Sequence, residues 1–317
     1  MKKLLILWSS SLLLLFACQN EAPDHDEKNE HDSAMNKMQN DKPVSFAKIE
    51  TLPTGIDSIF GKEPSKEVGY YKFSFPRADL KVQLDGITVD PRLAFTTWFS
   101  FAPMKEGKDA MLMGDIVLLE NELPKVERKL IEEGISVTAI HNHLLNEKPK
   151  IMYLHVDAMG DPMVLSQKLK AVISLTSTPF KASFKDPAGG IKWDSVELII
   201  GLKGKPAGPV LSFGIPRKEE VKADGTVIPP GFGIATGIGF QKVGDKAAIT
   251  GDFVLMDGEV APVTAALLQH GITVTAIHNH MVMDSPRLFM MHFWAFGKPE
   301  ELARGLKAAI DKTNSKF

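Results

Sequence analysis

The chain has 317 residues, of which 44% are hydrophobic and 24% charged, with a formal net charge of −2. That is enough apolar material for one large core or two medium ones. The acidic balance and the lack of a basic patch exclude a nucleic-acid binder that works by counterion release. Cys18 is the single cysteine, so the folded part has neither an internal disulfide nor a thiolate metal ligand to draw on.

The first element is a processing segment. Lys2 and Lys3 precede an apolar run from Leu4 to Phe16, interrupted at Ser9 to Ser11. The run is shorter than the roughly 20 residues a permanent transmembrane helix needs, and its layout is that of a secretory signal. It closes as Leu15-Phe16-Ala17-Cys18, which has the form of a lipobox. Residues 1–18 are therefore expected to be a lipoprotein signal peptide, with Cys18 lipidated as the anchor to the membrane. A plain signal with an incidental cysteine is the alternative. The expected location is the cell envelope, outside the cytoplasm. Residues 19–46 are polar and nearly free of large apolar side chains, so they cannot offset their own ordering entropy and read as a disordered tether. His25 and His31 lie in it and read as solvated linker residues.

The rest of the chain is duplicated. Gly134 to His143 reads GISVTAIHNH and Gly271 to His280 reads GITVTAIHNH, identical at nine of ten positions and 137 residues apart. The same offset relates Gly114-Asp115 to Gly251-Asp252, Glu122 to Glu259, Pro149 to Pro286 and His155 to His292. With small insertions, Pro76-Arg77 matches Pro216-Arg217. A period this long is too large for a solenoid and indicates two copies of a domain, expected at 47–180 and 181–317 and packed about a pseudo-two-fold axis.

Each copy opens with a β-rich half punctuated by Pro and Gly. A strand then runs through the Gly-Asp pair, Met111 to Leu119 and Ala247 to Met256. Helices follow at about 122–133 and 259–270, ending at Gly134 and Gly271, which suit left-handed caps. Strands rich in β-branched residues come next, Ile135 to Ile140 and Ile272 to Ile277. A turn containing Pro149 or Pro286 leads to another strand, about 150–156 and 287–294. The last helix opens at Asp161-Pro162 in the first copy, a cap followed by proline at the first helical position, and at Lys298-Pro299 in the second. The fold class is α+β, with a β-α-β-β-α unit closing each copy.

Six of the nine histidines are repeated: His141, His143 and His155, then His278, His280 and His292. Along a strand His141 and His143 share a face, and Asn142 points to the other. An antiparallel hairpin places His155 opposite roughly Ala139 to Ile140, where a one-residue slip decides whether it joins that face. In the favourable register three imidazoles converge, a donor set suited to Zn or another divalent transition metal, with one site expected per copy. A polar network that pins the hairpin is the structural alternative. Asp115, Asp252, Asn142 and Asn279 are candidates for a second shell. Glu122 and Glu259 are candidate proton carriers; helix-dipole charges are their structural alternative. Arg77 and Arg217 are candidate anion binders, against structural ion pairs with neighbouring acids.

Other signals carry less. The letters HNH come without a ββα-metal context or a basic surface. Met281, Met283, Met290 and Met291 crowd the second triplet but are not repeated in kind, so core filling explains them better than soft-metal binding. The Gly231-Phe232-Gly233 and Gly237-Ile238-Gly239 runs lie in a β-rich half and have no glycine counterparts in the first copy.

The segments FPRADLKVQLDG, MLMGDIVLLENEL, GISVTAIHNHLLNEKPKIMYLHVDAMGDP and GITVTAIHNHMVMDSPRLFMMHFWAFGKPEELARGLKAAI resemble the LppY/LpqO-type bacterial lipoproteins, a family with a domain of unknown function. The resemblance covers about residues 47–315. It implies an exported, often lipid-anchored protein with this double layout and no established activity. It marks the six histidines, Asn142, Asn279, Asp115, Asp252, Glu122 and Glu259. The proline near the glutamate is shifted between copies, Pro124 against Pro262, which leaves the start of the first helix open. Three functions fit the sequence: a metal-binding surface lipoprotein, a metal-dependent hydrolase, and a non-catalytic binding module for a small molecule or protein.

Overall fold

Alternating burial builds the sheets. In β2 (Tyr71–Pro76) the side chains of Tyr71, Phe73 and Phe75 are buried and the positions between them half-buried, as a period-two strand requires. The structure is a computed structural model, and it describes residue 49 and residues 51–104, 108–186 and 191–317. The expected signal, Cys18 and the expected tether lie outside the described residues.

The first repeat runs α1 (Ile56–Phe60), β1 (Ser65–Lys66), β2, β3 (Val82–Leu84), β4 (Ile87–Val89), α2 (Pro91–Ala94), β5 (Thr96–Pro103), β6 (Ala110–Leu119), α3 (Leu123–Glu132), β7 (Ser136–His141), β8 (Ile151–Gly160) and α4 (Pro162–Ile173). Its antiparallel sheet has the order β1-β2-β5-β6-β8-β7. The second repeat runs α5 (Asp194–Ile200), β9 (Lys205–Ala207), β10 (Val210–Pro216), β11 (Lys222–Ala223), β12 (Thr226–Val227), β13 (Ala235–Val243), β14 (Lys246–Leu255), α6 (Asp257–Gln269), β15 (Thr273–His278), β16 (Asp284–Ser285), β17 (Phe289–Gly297) and α7 (Pro299–Ile310). Its antiparallel sheet has the order β15-β17-β14-β13-β10-β9. The α+β class, the duplication and the β-α-β-β-α unit of each repeat are as the sequence implies.

Local signals explain the element ends. The Asp161 carboxylate accepts hydrogen bonds from the Met163 and Val164 N–H groups and caps α4. Gly134 and Gly271 close α3 and α6 at φ 69°, a conformation that disfavours any side chain. The shifted proline resolves simply: Pro124 sits in the first turn of α3, while α6 starts earlier, at Asp257, and carries Pro262 inside.

Each sheet has one face covered by its own helices. In the first repeat Phe73, Phe75, Phe99, Leu112, Ile116, Leu154 and Val156 pack under Val126, Leu130, Leu165 and Leu169. In the second, Phe213, Phe240, Ile249, Phe253 and Phe293 pack under Val263, Leu267, Leu302 and Leu306. The other two faces meet each other. Met111 and Met113 pack with Phe232, Val254 and Met290; Val117, Ile151 and Tyr153 pack with Ala248 and Trp294. Hydrogen bonds cross the same boundary, from Trp294 Nε1 to Asp85 Oδ2 at 2.7 Å and from Gln241 Nε2 to the Thr88 carbonyl at 2.9 Å. The layers are therefore helix, sheet, sheet, helix, and most of what projects from the two inner faces is shielded from water.

Candidate metal centre between the repeats

The hairpin register puts all three histidines of each repeat on the inner face. His155 lies opposite Ala139 on β7 and opposite Asp115 on β6. His292 lies opposite Ala276 on β15 and Asp252 on β14. Directly opposed residues of an antiparallel pair project to the same side, so each aspartate joins the histidines. A bulge between Val137 and Ala139, matched by one between Val274 and Ala276, sets this parity.

The Gly-Asp pairs have a steric cause. A Cβ on Gly251 would lie 2.1 Å from the Gly237 carbonyl oxygen, so only glycine lets β13 and β14 approach there. The neighbouring Asp252 then projects inward. The Gly251 carbonyl also accepts a hydrogen bond from His292 Nδ1 at 2.9 Å, which turns Nε2 toward the cluster.

The two triplets, expected to give one site per copy, adjoin in a single constellation. Because the sheets pack through their histidine faces, rings from opposite repeats are as close as rings from the same one. The His141 and His278 centroids are 3.8 Å apart, His143 and His292 3.7 Å, and His155 and His280 4.5 Å. Within a repeat, His141 and His143 are 5.1 Å apart and His278 and His280 5.0 Å. The Nε2 atoms of His292 and His278 lie 2.8 Å apart.

Three groups of side chains bring possible ligand atoms within 4.8 Å of one another. They are His141, His143, His278 and His292; Asp115, His141 and His280; and Asp252, His280 and His292. These buried clusters could hold a metal ion. Apolar neighbours on the same strand faces, Met113 and Val117 beside Asp115, Met290 and Trp294 beside His292, bury most of the donors, while Asp252, His143 and His278 stay half-buried. His155 is 0% exposed, His292 1%, His280 4% and Asp115 4%.

Electrostatics and hydrogen bonding agree on what the cluster lacks. Burial, then the neighbouring rings, holds His155 and His292 down to about 3. Burial takes His278 down to about 4, and His141, His143 and His280 fall well below the ordinary imidazole value. Burial pushes Asp115 up to about 7, against the pull of Lys72, and drives Asp252 well above the usual carboxylate range, with Asp115 adding to the effect. Both ring nitrogens of His141, His155 and His280, Nε2 of His143 and one oxygen of each aspartate are buried without a hydrogen-bond partner among the described residues. Each unmatched polar group costs about 1–3 kcal/mol. A divalent cation ligated by neutral imidazole nitrogen and carboxylate oxygen would satisfy both kinds of atom at once.

The other sequence candidates have different partners. Arg77 is fully buried and donates to Glu122 Oε2 at 2.8 Å, to the Val117 carbonyl at 2.8 Å and to Asp79. Arg217 repeats this with Glu259 at 2.6 Å, the Val254 carbonyl at 2.8 Å and Glu219. Each guanidinium is thus filled by internal carboxylates, which removes its capacity for an outside anion. Glu122 also accepts from the Leu119 N–H and Glu259 from the Met256 N–H, so both are tied to helix starts. Neither belongs to the clusters around the histidines. Asn142 and Asn279 donate to the Leu144 and Leu288 carbonyls and shape the loops after the HNH strands. Met281, Met290 and Met291 are buried packing residues, while Met283 is exposed.

A cavity of about 340 Å³ reaches the cluster. His143, His280, His292, Asp115 and Asp252 line it, together with Lys72, Trp98, Ser212 and Gly237. Trp98 opposes Asp115 across its strand pair just as Gly237 opposes Asp252, so the second repeat has open space where the first has an indole. Lys72 and Trp98 were not legible as site residues because the repeat does not preserve them. Lys72 Nζ sits 4.0 Å over the Trp98 ring.

No curated protein matches the chain. The crystal structure of a trimeric bacterial microcompartment shell protein, PduB, aligns with 77% of this chain and 86% of its own at 10% identity and a TM-score of 0.19, too slight a likeness to bear on fold or activity. Residues 54–175 and 194–312 each match the Domain of Unknown Function (DUF1259). With two copies of it covering most of the described chain, this protein belongs to the DUF1259 family.

Proposed function

We propose that this chain is a transition-metal-binding protein of the cell envelope whose metal centre is assembled from both repeats. The observation that carries it is the set His141, His143, His278 and His292, drawn equally from the two repeats, with ring nitrogens within 4.8 Å of one another. Imidazole nitrogen favours Zn, Cu, Fe or Ni over Mg or Ca. The envelope location and a lipid anchor at Cys18 belong to the proposal on the strength of the signal-like start of the chain and its resemblance to LppY/LpqO-type lipoproteins. The test is zinc-dependent stabilisation of the metal-stripped chain. Added zinc raises the melting temperature of the wild type and has no effect on the His143→Ala/His280→Ala double variant. An indifferent wild type, offered Zn, Cu, Ni and Fe in turn, refutes the proposal.

A second reading, metal-dependent hydrolysis, is favoured by the cavity. It gives a small substrate room beside the ligands, and Lys72 would favour an anionic one. Glu122 and Glu259 are engaged with Arg77 and Arg217 and so drop out as proton carriers in this reading; a metal held by the histidines would supply the activation of water. A Cβ at Gly237 meets nothing within 4 Å and the residue lines the cavity, so Gly237→Leu takes up cavity space beside Asp252. Hydrolysis of simple phosphate or carboxylate esters that survives this substitution would place the chemistry elsewhere.

A further inference from the structure

The cluster holds six imidazoles and two carboxylates, more donors than one tetrahedral ion can take. The repeat divides them cleanly. Exchanging the repeats turns Asp115, His141, His143 and His155 into Asp252, His278, His280 and His292. Among the ways to split these eight, one that respects that exchange and uses every donor once keeps Asp115, His141 and His280 together and His143, His278 and His292 together.

We propose that the centre is binuclear, with two divalent transition-metal ions, each held by three side chains of one repeat and one of the other. This rests on the metal-binding reading above. The first set is Asp115, His141 and His155 with His280. Asp115, His141 and His280 offer atoms within 4.8 Å of one another. His155 lies opposite Asp115 in the strand register and its ring is 4.5 Å from that of His280. The second set is Asp252, His278 and His292 with His143. The three imidazoles offer nitrogens within 4.8 Å of one another, and His292 Nε2 lies 3.9 Å from Asp252 Oδ1.

In both sets the visiting ligand is the second histidine of the other repeat's HNH triplet. That residue sits just beyond the end of β7 or β15, where the chain leaves its own sheet. The arrangement accounts for the motif itself. The first histidine serves the home ion and the second crosses to the partner ion, so both must share a face and the asparagine between them is free to shape the loop. A single ion on His141, His143, His278 and His292 would leave Asp115, His155 and His280 buried with their unmatched nitrogen and oxygen atoms.

The test is stoichiometry on the full mature chain. After removal of metal by chelator, titration with Zn²⁺ and elemental analysis are expected to give two ions per chain. His280→Ala should reduce this to one, and adding Asp115→Asn, from the same set, should leave that one in place. Adding Asp252→Asn to His280→Ala should remove the last ion. Where a variant does not fold, Co²⁺ absorption of the wild type reads the same count and should rise to saturation at two equivalents. One ion per wild-type chain overturns the binuclear centre and leaves a shared metal site standing. Zero overturns both. Two ions that are lost together in His280→Ala, in a folded variant, overturn the partition.

Discussion

The imidazole of His141 lies against that of His278, 3.8 Å between ring centroids, although the two residues belong to different repeats. Each is the first histidine of its HNH triplet, so the contact joins equivalent positions, as the pair nearest a two-fold axis must. His143 with His292 and His280 with His155 then form the second, mutually equivalent pair of contacts. The histidine constellation therefore straddles the interface between the repeats.

Metal binding should stabilise the fold as a whole. A ligand that binds only the folded chain adds about 2.7 kcal/mol at one hundred times its dissociation constant. Because the ligands span both repeats, chelation should lower the melting temperature of one cooperative transition, read by calorimetry. Loss of only part of the transition on chelation would mean the centre does not tie the repeats together.

Arg77 should matter for stability and not for metal. Arg77→Ala leaves the Glu122 carboxylate, 6% exposed, without its cation, a change expected to cost about 3–5 kcal/mol. Zinc stoichiometry should be unchanged in whatever fraction folds. Denaturant titration with parallel metal analysis checks both, and metal lost with stability kept would contradict the structural role.

The same pair gives a pH dependence with a definite sign. Burial alone would raise the Glu122 carboxyl, but the Arg77 and Leu119 hydrogen bonds outweigh it and leave its pKa below 4.5. A carboxyl depressed on folding contributes stability that is complete above its unfolded value and lost as pH falls through its folded value. Urea midpoints should therefore drop below about pH 4.5, where an unfolded glutamate begins to protonate. That acid limb should be shallower in Glu122→Gln. An equally steep limb in the variant would assign the acid sensitivity to other groups.

Two glycines on the β13–β14 pair should respond in opposite ways. Gly251→Ala places a methyl 2.1 Å from the Gly237 carbonyl, whereas Gly237→Ala meets nothing within 4 Å. The first should unfold or separate β13 from β14, and the second should keep the wild-type melting temperature within a few degrees. Comparable stability of the two would mean the strands are not held this closely.

Much of this was legible in the sequence. Gly134, Gly271, Asp161 and Pro162 mark helix ends by local backbone chemistry, and the structure has them there. The parity that brings His155 onto the face of His141 was open, because the bulge between Val137 and Ala139 moves the register by one and leaves no signature in residue type. The meeting of the two triplets was harder, since periodicity describes a strand's own faces and not what covers them. One signal did exist. Met111 to Leu119 is apolar on both faces, the mark of a strand covered from two sides, while α3 and α4 can cover only one. The second cover had to come from the other repeat. Asp115, the lone charge in that run, was already pointing to the buried site.

The account is tested most directly by anomalous X-ray diffraction at the zinc edge on crystals of the zinc-loaded chain. It predicts anomalous density between the two sheets, ligated by imidazoles from both repeats, with His143 and His280 among them. Density ligated by one repeat alone, or zinc confined to the outer surface with the six histidines bare, would contradict it.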